Sequence, residues 1–161
     1  MRPDDFQLPA LFDYLAIFAW ALSGAIVGLR KRYDLVGVFI TAALSSIGGG
    51  IVRDGILLHR TPPVLTDLYY LPLIAVATLL VVAMKKRIEH AVAIHKVVAM
   101  IDAVATPAFA VVGLQLGIQA GLPVLGVMVI GCVSAVGGGL LRDVVLREEP
   151  ELLRPGQFVA I

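Results

Sequence analysis

Five apolar runs decide what this chain can fold into. They cover residues 12–29, 35–52, 68–84, 97–118 and 122–141. Each is about 17–25 residues long, the length a helix needs to cross a bilayer. Backbone amides find no water in a hydrocarbon core, so a spanning segment must satisfy them itself, as a helix does. A sixth run starts at Phe158 and reaches Ile161. The alternative is a soluble domain with five buried helices. Hydrophobic residues make up 59% of the chain and charged residues 16%, against roughly 25% charged in soluble domains. That leaves too little polar surface for the soluble alternative.

The links carry the orientation. Residues 30–34 read RKRYD, residues 85–96 read KKRIEHAVAIHK, and residues 119–121 read QAG. Basic residues favour the cytoplasmic side. With 30–34 inside, alternating crossings put 85–96 and the segment after residue 141 inside as well. Ten of the 13 Lys and Arg residues then lie inside, and only Arg2, Arg53 and Arg60 lie outside. The N-terminus is predicted outside. The start, MRPDDFQLPALFDY, lacks the basic region and cleavage site of a signal peptide.

A duplication is visible. Residues 13–54 align on 102–143 without a gap, with 14 of 42 positions identical. The matches include Asp13 with Asp102, Ser45 with Ser134, and SSIGGGIVRD with SAVGGGLLRD. Three spans separate equivalent helices, so the second copy enters the membrane from the other side. Inverted repeats are typical of transport folds, with the working site near the midplane where the copies meet.

Gly48, Gly49 and Gly50 fall inside the second span, and Gly137, Gly138 and Gly139 inside the fifth. Each helical Gly costs about 1 kcal/mol relative to Ala. Small residues let helices pack closely. A break or kink at the triplet instead exposes carbonyls and half-helix ends to a cation. The break is favoured, because a charged pair follows both triplets: Arg53-Asp54 and Arg142-Asp143. Charges inside a bilayer are costly and need partners. Neighbouring residues do not face each other on a helix, so partners on other helices are expected, Asp13 and Asp102 among them. Ser45 and Ser134 belong to the same network.

Lys85, Lys86, Arg87 and Lys96 form a basic cluster that sets orientation and could meet anionic lipid. Net charge is +1, which gives no field for nucleic acid. His59, His90 and His95 lack metal-ligand spacing, the lone Cys132 offers no cluster, and no GxSxG, P-loop, HExxH or CxxC is present. No cofactor, metal or catalytic site is expected, and an enzyme has no support.

The segments DYLAIFAWALSGAIVGLRKRYDLVGVFI, SSIGGGIVRD, IDAVATPAFAVVG and SAVGGGLLRD resemble the bacterial branch of the trimeric intracellular cation (TRIC) channel family, also described as a glycine transporter family. The resemblance implies an all-α membrane bundle of two inverted three-helix repeats plus a seventh helix, assembled as a homotrimer. It implies a potassium-permeable pore in each protomer, with the six triplet glycines kinking the second and fifth helices. The chain is then one transmembrane domain over 1–161, with repeat one about 12–84 and repeat two from about 97, cut at 161. It is expected to be a truncated form of that seven-helix chain, in a bacterial inner membrane. Channel and small-amino-acid transporter both remain open, since inverted repeats and broken helices suit either.

Orientation can be tested by cysteine labelling after Cys132 is replaced. A cysteine at position 31 should react with an impermeant thiol reagent only from the cytoplasmic side. Labelling from outside would overturn the predicted orientation.

Overall fold

The computed structural model describes residues 10–90 and 94–150, without the side chains of 10–12, 89–90 and 94–96. Six α-helices make up these residues: α1 (Ala10–Arg30), α2 (Leu35–Ile51), α3 (Tyr70–Ala83), α4 (Lys85–His90), α5 (Ile94–Gln119) and α6 (Val124–Val145). A π-helical turn, Val52–Leu57, continues α2, and a 3-10 turn, Pro63–Leu65, precedes α3. Four helical stretches are long and apolar enough to cross a membrane: Asp13–Arg30, Leu35–Leu57, Val97–Gln119 and Val124–Val145. The predicted start of a sixth span at Phe158 lies outside the described residues.

The third run is shorter than read. It was expected over 68–84, but α3 has 14 residues. At 1.5 Å per residue that is about 21 Å, less than the ~30 Å of a hydrocarbon core. The Asp67 carboxylate accepts the Tyr69 N–H at 2.8 Å and holds the chain in a turn until Tyr70. The fifth run is longer than read, since α6 continues to Val145. Arg142 and Asp143 therefore lie within the helix.

α1 packs on α2, α3 and α5, and α6 packs on α5 and α2. Asp34 caps α2 by accepting the Gly37 N–H at 2.8 Å. Ile17, Ala21, Ala25, Val38, Ala42, Ile74 and Ala77 form the packed centre. Many apolar side chains face outward, among them Met100, Val104, Val124 and Leu125. So much exposed apolar surface suits lipid or partner helices and not water.

Local geometry recurs 89 residues apart. The turn after α1 has Arg32 at φ 59°, and the turn after α5 has Gly121 at φ 69°. At both ends the chain closes with a 3.2 Å bond, Tyr33 N–H to the Gly28 carbonyl and Leu122 N–H to the Gly117 carbonyl. This left-handed closure satisfies a helix-end carbonyl. Gly24 lies against Thr41 and Ser45, and Gly113 lies against Ile130 and Ser134.

α2 and α6 meet at the glycine triplets. Ser45 lies against Gly138, and four residues on, Gly49 lies against Ser134. The two helices therefore run antiparallel. These two contacts exchange under the 89-residue shift, the relation made by a two-fold axis perpendicular to the helices.

A break or kink was expected at the triplets, and the structure shows no break there. Both lie within continuous helix, and the Val52 N–H still reaches the Gly48 and Gly49 carbonyls. The residues missing their side chains are filled by the other helix. A Cβ on Gly138 would stand 2.0 Å from the Ser45 carbonyl oxygen, and one on Gly137 would stand 2.9 Å from the Gly49 Cα. The departure from α geometry comes at the π turn, where the Leu58 N–H bonds the Arg53 carbonyl at 2.9 Å.

The glycines should then respond unequally to alanine. Gly138→Ala puts a methyl group into backbone and should cost about 1–3 kcal/mol by overpacking. Gly50→Ala meets nothing nearer than an Arg53 nitrogen at 3.8 Å. It should be neutral or stabilising by up to about 1 kcal/mol. Thermal unfolding of the purified variants in detergent measures the difference.

Candidate functional site: two buried ion pairs at a helix crossing

Arg53, Asp54, Arg142 and Asp143 are 5%, 0%, 4% and 6% exposed. None is an interface anchor. The π turn carries Arg53 and Asp54, and the last turns of α6 carry Arg142 and Asp143.

Their partners differ from the expectation. Arg53 turns back on its neighbour, with Nε 3.0 Å from Asp54 Oδ1 and Nη2 2.6 Å from Asp54 Oδ2. Arg142 does the same, Nε donating to Asp143 Oδ1 at 2.8 Å. The spacing rule for helix neighbours holds for short side chains. An arginine stem is long enough to fold along the helix and bring its fork beside the next residue. Two adjacent charged side chains thereby enter apolar surroundings as one hydrogen-bonded unit, which limits the desolvation cost.

Each arginine also reaches another helix. Arg53 Nη1 donates to Ser134 Oγ on α6 at 3.3 Å. Arg142 Nη1 donates to Ser23 Oγ on α1 at 3.3 Å. Asp54 takes a further bond from Arg60 Nε at 2.8 Å. Arg60 itself is 40% exposed. Ser23 and Arg60 were missed in the sequence. Ser23 was legible as a hydroxyl beside Gly24 in an apolar span, and Arg60 as a guanidinium six residues after Asp54.

Asp13 stands beside Arg53, and accepts its own short hydrogen bond from the Tyr70 hydroxyl. Asp102 is half-buried on α5. The arginines' hydrogen bonds described above go elsewhere. Asp13 shares a cavity of about 20 Å³ with Arg53, Tyr70, Ser46 and Gly50. Beside it Tyr14 donates to Asp67 at 2.6 Å, so the start of α1 is tied to the approach to α3.

At the other end of the bundle Lys31 pairs with Glu148. The link after α1 and the segment after α6 therefore share a side. The Glu148 carboxylate raises the Lys31 amine above its ordinary value. Lys85, Lys86 and Arg87 are exposed on α4. With Val82, Ala83 and Met84 they wall an open groove. The Lys96 side chain lies outside the described ones.

Fold and site together define a multi-pass helical membrane protein whose second and sixth helices cross on glycine between buried ion pairs. The chain belongs to the family described as glycine transporter, whose model matches residues 10–86 and 99–161. It is 37% identical to a UPF0126 membrane protein of Deinococcus radiodurans over 88% of this chain and 64% of that protein's length. It is 29% identical to the UPF0126 inner membrane protein YadS of Escherichia coli over 88% of this chain and 68% of that one. Among solved structures it is similar to a prokaryotic TRIC channel in 0.5 M KCl, with TM-score 0.83 and 33% identity over 89% of this chain and 73% of that one. It is also similar to a TRIC trimeric intracellular cation channel orthologue from Rhodobacter sphaeroides, with TM-score 0.83 and 25% identity over 93% and 76%.

The ion pairs predict a graded response. Asp54→Ala strands a buried guanidinium and should cost about 3–5 kcal/mol. Removing Arg53 and Asp54 together should cost less than the sum of the single changes. Arg60→Ala should cost under about 1 kcal/mol, since a half-exposed charge is screened by solvent. Unfolding of the wild type, the two single variants and the double variant in one detergent gives the cycle, with Arg60→Ala measured beside them.

Proposed function

We propose that this protein is a passive channel for monovalent cations, potassium among them, with a path through each protomer of a homotrimer. The observation that carries the reading is the α2–α6 crossing, built like a transport midplane and present in a chain that matches a prokaryotic TRIC channel with TM-score 0.83. A second neighbour of known structure comes from work on conductance through TRIC cation channels, with TM-score 0.79 and 31% identity. In this reading the two halves form an inverted repeat and the N-terminus lies outside. The protein sits in the bacterial inner membrane, as the YadS relative's name states for that protein.

The path runs between α1, α2, α5 and α6. The glycines bend α2 and α6 without breaking them, and shape the narrowest part. Ser45 and Ser134 offer hydroxyl oxygens there. The paired charges keep the bundle polar at its centre while leaving little net charge to trap an ion. Lys85, Lys86, Arg87 and Lys96 meet anionic lipid head groups.

The second reading, a transporter for glycine or another small amino acid, is favoured by the family's description. The two differ in mechanism. A channel holds a continuous aqueous path, while a transporter binds substrate and alternates access.

Planar-bilayer recording on the purified full-length protein tests the choice. Discrete single-channel steps in symmetrical KCl, indifferent to added glycine, are expected. Silence in the bilayer together with saturable glycine uptake into proteoliposomes would establish the transporter.

A further inference from the structure

The 89-residue relation does not hold for the arginine–serine contacts. Arg53 reaches Ser134, so its counterpart Arg142 should reach Ser45. It reaches Ser23 instead. Among the described residues Ser45 Oγ has no hydrogen-bond partner, and neither has Trp20 Nε1. Ser45 is 1% exposed and Trp20 is 4% exposed. A buried polar group without a partner carries the full cost of its lost hydration.

Both side chains line one cavity of about 10 Å³, with Phe109, Ser134 and Gly138. Trp20 and Phe109 are themselves 89 residues apart and meet edge to face with centroids 6.0 Å apart. The cavity therefore sits on the pseudo-two-fold axis. Its size is that of a single water molecule. Its chemistry selects the occupant. The indole N–H only donates, and the Ser45 hydroxyl donates or accepts. The Arg53 fork donates to Ser134, part of the same wall. A cation resting here would face the indole N–H, which repels it, whereas a water accepts from the indole and bonds the serine hydroxyl.

We propose that Trp20 Nε1 and Ser45 Oγ together hold one resident water molecule at the crossing of α2 and α6. Trp20 donates to the water, and the water exchanges its second bond with Ser45. The adjoining cavity beside Asp13 and Arg53 shares Ser46, Gly50 and Phe109 with this one. The site depends on the crossing and not on conduction. A bound water in a protein that carries no current would leave this proposal standing and sink the channel reading.

A high-resolution structure of the full-length protein is the direct test. Solvent density within about 3.2 Å of both Trp20 Nε1 and Ser45 Oγ is expected. Trp20 is the only tryptophan in the sequence, so its fluorescence gives a second readout. Ser45→Ala should shift its emission to shorter wavelength. Ser46→Ala should not, because the Ser46 hydroxyl already bonds the Ala42 carbonyl at 2.8 Å. If Ser45→Ala does not fold, the density alone decides. The proposal is overturned by Trp20 Nε1 bonding a protein acceptor with no solvent density beside it. Equal shifts in the two variants would also overturn it. So would an anomalous peak at this position in crystals grown with rubidium or thallium, which would make it a cation site.

Discussion

The crossing of α2 and α6 organises the bundle. Two helices can touch backbone to backbone only where at least one carries no side chain at the contact. Here the Gly138 Cα faces the Ser45 carbonyl so closely that one methyl group would overlap it. In lipid there is little hydrophobic drive between helices, so close van der Waals packing has to hold them. The glycines give up helix propensity and gain that packing. Everything polar in the centre then falls into place around the contact. Ser45 and Ser134 lie on the two sides of it, and the Arg-Asp pairs follow it by one turn along each helix.

The ion pairs show how charge is tolerated at that depth. Arg53 and Asp54 bring their own counter-charge, and so do Arg142 and Asp143. Each unit borrows one hydroxyl from another helix, so each pair also locks a helix contact: α2 to α6 through Ser134, and α6 to α1 through Ser23. Arg60 makes the two ends unequal. Asp54 balances two guanidinium groups, while Asp143 pairs with Arg142 and its equivalent of Arg60 is Glu149. The halves share a scaffold and differ at these helix ends.

The long elements were legible because their signals are local. Apolar run length gave α1, α2, α5 and α6, and the paired triplets gave the duplication. What was missed depends on contact across helices or on backbone hydrogen-bond register. Glycine in a helix reads the same whether it permits a break or a close approach, and only the partner's position separates them. The reach of Arg53 to its neighbour depends on side-chain conformation, which residue spacing does not encode. The π turn at Val52–Leu57 changes register by one residue with no residue type of its own to announce it. The shortness of α3 follows from the Asp67 turn, which looks apolar from Leu68 onward.

The central claim is that ions pass at the glycine crossing. Silver ions test it, being close to potassium in size and binding thiols tightly. In a background without Cys132, Ser45→Cys and Ser134→Cys channels should lose their current on silver exposure. Leu125→Cys, at an outward-facing position, should keep it. Block at Leu125→Cys with unchanged current at both serine positions would place the path elsewhere and contradict the account.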